Sequence, residues 1–95
     1  MALLYNTTFH PKGQQKMPTF ELRELKIYTT EHHPDGKDPN PWYELRDNKF
    51  YPTAHHPQKP SLEHPWYEIR GDRVFTAEGH PHGIQSFPFF EIRYY

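Results

Sequence analysis

The chain has 95 residues with no cysteine, 34% apolar and 17% aromatic residues, and a formal net charge of −1 with histidine neutral. That length allows one small domain whose core must come from a few large rings. The missing cysteines exclude disulfides and thiolate metal sites, and the balanced charge excludes a basic field for nucleic acid or anionic lipid.

Residues 1–6 have neither the basic start nor the apolar stretch, about 7–15 residues long, of a secretory signal. No apolar run approaches the ~20 residues of a membrane helix, so a cytoplasmic protein with no membrane partner is expected. Next comes Leu4-Tyr5, leading into His10-Pro11. The same pattern returns as Ile27-Tyr28 to His33-Pro34, Phe50-Tyr51 to His56-Pro57, and Val74-Phe75 to His80-Pro81. A second pattern alternates with it: Pro18-Thr19-Phe20-Glu21-Leu22-Arg23, Pro41-Trp42-Tyr43-Glu44-Leu45-Arg46, Pro65-Trp66-Tyr67-Glu68-Ile69-Arg70 and Pro88-Phe89-Phe90-Glu91-Ile92-Arg93. The glutamates step by 23, 24 and 23 residues and the His-Pro pairs by 23, 23 and 24. A repeat of this length is one supersecondary unit that buries its apolar face by packing on its neighbours.

Each unit reads as a β-hairpin. Only two residues separate the patterns, at Glu24-Leu25, Asp47-Asn48 and Gly71-Asp72. Asp, Asn and Gly accept the positive φ that tight hairpin turns need. Glu24-Leu25 does not, so strain or a wider turn is expected there. The flanks are rich in β-branched and aromatic residues and show no helical period. A two-residue turn pairs Arg70 with Arg73, Ile69 with Val74, Glu68 with Phe75 and Tyr67 with Thr76. Alternation then puts Tyr67, Ile69, Val74 and Thr76 on a core face, with Phe20/Leu22/Ile27, Tyr43/Leu45/Phe50 and Phe90/Ile92/Leu4 as counterparts.

The chain starts with a second strand and stops after a first strand, and the two half-units complete a fourth hairpin. An all-β fold is therefore expected: four pseudo-symmetric hairpins of 23–24 residues, closed into a mini-propeller-like ring or an eight-stranded barrel by pairing of the terminal strands. The alternative is an open hairpin solenoid. Residues 1–95 form one domain in this reading, with hairpins at 18–33, 41–56 and 65–80, and with 88–95 paired to 3–10. The His-Pro-x-Gly linkers at residues 10–13, 33–36 and 80–83 read as turns; residues 56–60 lack the glycine and should be irregular.

A ring-rich hairpin with a Pro-x-Gly turn resembles the YD repeats of toxin-shell proteins, and the aromatic load is similar to that of choline-binding repeats. Trp-Tyr-Glu-Ile-Arg and the His-Pro step are signatures of neither, and no function is carried over.

Three residue sets carry candidate chemistry. Trp42, Trp66 and Phe89 share one repeat position, which Thr19 breaks, and with Arg46, Arg70, Arg93, Glu44, Glu68 and Glu91 they would form an aromatic-guanidinium face suited to a protein partner. Symmetry explains the Glu-Arg recurrence first as structure. The equivalent His10, His33, His56 and His80 could converge on an axis and hold Zn²⁺, Ni²⁺ or Cu²⁺ through imidazole nitrogens; the competing reading is a turn residue bonded to nearby backbone. No phosphate loop, nucleophile elbow or zinc-protease motif occurs. The expected function is a non-enzymatic interaction module or inhibitor, with homo-oligomerisation to cover exposed rings. The alternative is a metal- or small-ligand-binding protein using the histidines or inter-hairpin clefts. Breaks in the repeat, at Thr19, Glu24-Leu25 and 57–64, are where function should sit.

Overall fold

The three short turns set the architecture. The computed structural model describes residues 2–95, and in it Asp47 and Asn48 take φ of 52° and 63°, the doubly positive signature of a type I′ turn. Gly71 and Glu24 take φ of 63° and 57°. Glu24-Leu25 thus keeps the two-residue turn, with Arg23 opposite Lys26, and holds its strain at Glu24 rather than widening.

The turns join β2 (Phe20–Arg23) to β3 (Lys26–Thr29), β4 (Tyr43–Arg46) to β5 (Lys49–Pro52), and β6 (Tyr67–Arg70) to β7 (Arg73–Thr76). β1 (Ala2–Asn6) and β8 (Pro88–Tyr94) complete the set. All eight strands are antiparallel neighbours in chain order and form a closed barrel. Closure runs through five residue pairs between β1 and β8, from Ala2 with Tyr94 to Asn6 with Phe90. No unpaired edge is left among the described residues, so the open solenoid does not form. Two equal extents of 31 Å and a third of 23 Å suit a ring of four like units. No helix among the described residues is long and apolar enough to cross a membrane.

The register of β6 and β7 pairs Tyr67 with Thr76 and Ile69 with Val74, as alternation requires. The interior is layered by the repeat. Leu4, Ile27, Phe50 and Val74 form the fully buried layer; Phe20, Tyr43, Tyr67 and Phe90 lie beside them, and Leu22, Leu45, Ile69 and Ile92 pack toward the turn end. Phe20 meets Phe90 edge-on at 5.5 Å, and Tyr43 meets Tyr67 at 5.6 Å.

Alternation fails at one position. Trp42 and Trp66 are each only 7% exposed, although their strand phase would place them outside with Glu and Arg. The backbone bends at both residues before the regular strand begins. Their rings therefore turn over the end of the core. Phe89 reaches the same layer through a β-bulge: Val74 pairs with Phe90 and Phe75 with Pro88, which leaves Phe89 as the extra residue.

Candidate functional site

The His-Pro turns gather at the end of the barrel opposite the hairpin turns. In each, the carbonyl of the histidine accepts the N–H three residues on: Gly13, Gly36 and Gly83 at 2.8, 2.8 and 2.9 Å, and Lys59 at 3.1 Å. The three glycines have φ of 70–81°, and Lys59 has φ of 49°. The linker at 56–60 keeps the same turn as the others, with a lysine forced into the conformation glycine takes elsewhere.

This turn aims the histidine ring inward and locks its tautomer. Nδ1 of His10, His33, His56 and His80 accepts the backbone N–H of Lys12, Asp35, Gln58 and His82 at 3.1, 3.0, 3.2 and 3.0 Å. A neutral imidazole whose Nδ1 accepts carries its proton on Nε2. Burial pushes the pKa of His10, His56 and His80 down to about 4. Lys12 and His33 add to the effect at His10, and His82 and His10 add at His80. His33 is lowered too, again first by burial, with Asp35 working against it. The mouth thus holds four neutral rings, each with an Nε2–H.

Those donors are used unequally. His56 Nε2–H donates to the Tyr43 hydroxyl at 3.0 Å, and His80 Nε2–H to the Tyr67 hydroxyl at 3.2 Å. Burial raises the pKa of both phenols, so neither ionises at neutral pH. His33 and His10 stand over Phe20 and Phe90 with the same 5.1 Å ring separation, but Phe has no hydroxyl. Their Nε2–H groups have no acceptor among the described residues.

Histidines and large rings alternate around the mouth. Trp42 lies between His33 and His56 at 4.8 and 5.4 Å, and Trp66 between His56 and His80 at 4.5 and 5.1 Å. Phe89 lies between His80 and His10 at 5.6 and 5.5 Å. Together they enclose a cavity of about 320 Å³, with Thr19 and Asn6 on one side and Lys12, Asp35, Gln58 and His82 at its rim.

The expected aromatic-Arg-Glu face is not assembled. Trp42, Trp66 and Phe89 line the mouth, whereas the glutamates and arginines form a band on the outer wall. There Glu44, Glu68 and Glu91 pair with Arg46, Arg70 and Arg93 at 3.6, 3.2 and 3.4 Å. The guanidiniums lie over Tyr51, Phe75 and Tyr5 at 4.0, 4.6 and 4.1 Å. The band ties first strand to second within each unit, a structural role. The symmetric histidines do converge, but not as a chelate. No group of three or more His, Cys, Asp or Glu side chains among the described residues is placed to hold a metal ion. Each Nδ1 accepts a backbone N–H, so ligation of Zn²⁺, Ni²⁺ or Cu²⁺ through Nε2 would move the ring proton to Nδ1 and give up that bond.

Tyr43, Tyr67 and Asn6 belong to the site and are missed as functional residues from sequence. The signal for the tyrosines is the difference between Tyr and Phe at one repeat position, which reads as interchangeable core, and for Asn6 it is an amide where the other units have Thr29, Pro52 and Thr76. Comparison with protein-family models, curated proteins and solved structures gives no match.

Proposed function

We propose that the protein is a non-enzymatic binder of a small molecule, with its site in the barrel mouth. One observation carries this reading: a cavity of about 320 Å³ walled by large rings and edged by neutral imidazole donors. Small-molecule sites are concave and mostly apolar, with a few placed polar groups, and barrel mouths are among their preferred positions. Binding is favoured over catalysis because burial lowers all four histidines in the same direction, whereas acid-base work needs neighbouring groups whose pKa values are driven apart. The glutamates that could supply such a contrast lie on the outer wall.

The test is a ligand-observed NMR screen of small neutral aromatics and aliphatic amides, with hits mapped on the protein's amide spectrum. Binding in the mouth shifts the amides of Lys12, Asp35, Gln58 and His82 and alters Trp42 and Trp66 fluorescence. Hits that shift only outer-wall residues such as Arg46 and Arg70 would overturn the assignment.

A second reading, docking to a protein or to another copy of the chain, rests on a different feature. Phe9 and Phe87 stack at 4.7 Å while 52% and 51% exposed, and rings left in water favour association. Sedimentation of wild type against Phe87→Ser separates self-association from a monomer.

A further inference from the structure

We propose that the occupant of the mouth is a planar aromatic molecule with hydrogen-bond acceptors on its edge, bound between His10 and His33 over Thr19. The inference rests on the mouth being a ligand site, and it deepens that reading by naming the ligand class and the position.

The wall has four places for a ring between successive histidines, and three are filled, by Trp42, Trp66 and Phe89. Thr19 stands in the fourth. Its backbone is placed like the others: Thr19 N–H donates to Leu4 O at 2.8 Å, as Trp42 and Trp66 N–H donate to Ile27 and Phe50 O at 2.9 Å. The chain has therefore kept the position and omitted the ring. The cavity also reaches deeper on this side. Of the equivalent residues Asn6, Thr29, Pro52 and Thr76, only Asn6 lines it.

The polar groups are incomplete on the same side. His10 and His33 flank the Thr19 position, and they are the two histidines that face phenylalanine instead of tyrosine. Each presents an Nε2–H without an acceptor among the described residues, on a half-buried ring that lines the open mouth, where a bound molecule can supply the acceptor. A missing ring and two missing acceptors thus coincide. One flat molecule supplies all three: it lies inclined to His10 and His33, as the indoles lie at 50–75° to their histidines elsewhere, and its edge acceptors take the two protons. Lys12 and Asp35 at the rim carry opposite charges, so the site suits a neutral molecule.

Isatin and indole are the probes, because they share a bicyclic frame and differ by two carbonyl acceptors. Isatin should bind the full chain with a Kd on the order of 10–1000 µM, as expected for a fragment of this size. Indole should bind at least about tenfold more weakly, the value of one net hydrogen bond. Isatin should move the Nε2–H resonances of His10 and His33 and leave those of His56 and His80 in place. Thr19→Trp should abolish isatin binding by filling the place, and Phe20→Tyr should reduce the preference for isatin over indole by giving His33 an acceptor. The His resonances decide the matter in wild type even where Thr19→Trp fails to fold. Equal isatin binding by Thr19→Trp, or shifts spread over all four histidines, would overturn this inference while leaving the mouth as the ligand site. No aromatic hit at all, beside aliphatic amides that shift the mouth, would also overturn it alone. Silence of the mouth to the whole panel would remove both readings.

Discussion

His56 and Tyr43 form a hydrogen bond inside the barrel at 3.0 Å, while their counterparts His33 and Phe20 meet ring to ring with no such bond. One oxygen atom separates the two arrangements. In the first the imidazole is fully satisfied, at Nδ1 by Gln58 N–H and at Nε2 by the phenol. Replacing Tyr43 by Phe leaves a donor on a residue that is 2% exposed and should cost about 1–3 kcal/mol. Chemical denaturation of Tyr43→Phe measures this. An unchanged midpoint would mean that water reaches His56 and that the bond has little worth.

Lys59 occupies the turn position held by glycine in the other three units, at φ of 49°. A residue with a Cβ in this region is strained by roughly 1–2 kcal/mol, and glycine gives back part of that through its freedom in the unfolded chain. Lys59→Gly should therefore stabilise by about 0.5–1 kcal/mol, a rise of a few °C in Tm for a domain of this size. Gly13→Lys, the reverse change in an equivalent turn, should lower Tm by a similar amount. A fall in Tm for Lys59→Gly would show that the side chain, whose Nζ reaches Ala54 O at 3.1 Å, matters more than the backbone.

The hairpins, their register and closure of the ring are legible in the sequence because they depend on periodicities: two residues per pleat, two-residue turns and a repeat whose halves meet. The mouth is less legible for a specific reason. Alternation places Trp42 and Trp66 outside with Glu44 and Glu68, and only the backbone bend ahead of β4 and β6 turns them in. Nothing in a strand pattern announces a bend one residue before the ladder starts. The histidines are placed correctly as symmetric, but their tautomer depends on an N–H two residues away, which spacing alone does not orient. Thr19 is visible as a break; what it does is visible only once the rings on either side are known.

Gly79 reports on a second break. In the other units a threonine hydroxyl bridges the linker, donating to a proline carbonyl and accepting the N–H two residues on. Thr30 does this with Pro18 O at 2.6 Å and His32 N–H at 3.2 Å. Ala77 has no hydroxyl, and Gly79 N–H instead reaches Pro65 O directly at 2.9 Å. The approach leaves no room for a side chain: a Cβ on Gly79 would lie 2.7 Å from Pro65 O and 2.9 Å from the His64 Cβ. Gly79→Ala should destabilise by about 1–3 kcal/mol, because relieving the clash means drawing residue 79 away from Pro65 and giving up its N–H bond to Pro65 O. Ala77→Thr restores the hydroxyl bridge, so the double variant should recover much of the loss. Strict additivity of the two changes would refute this coupling.

The neutral histidines make stability depend on pH in a defined window. In the unfolded chain a histidine takes up its proton near pH 6.5, whereas in the barrel His10, His56 and His80 do so only near pH 4. Between those values the unfolded state binds more protons, so stability rises with pH across the interval. It is complete above about pH 6.5 and is lost progressively as the pH falls toward 4, where protonating Nδ1 also breaks the bonds to Gln58 and His82 N–H. With allowance for the water that reaches the mouth, His56 and His80 should each account for roughly 1–2 kcal/mol of this loss. Urea midpoints of wild type should fall steeply from pH 6.5 to 4.5, and those of His56→Gln/His80→Gln should fall less. Glutamine keeps a side-chain acceptor without the titration, so the comparison isolates the proton. Equal slopes in the two proteins would place the acid sensitivity in the carboxylates of the outer wall instead.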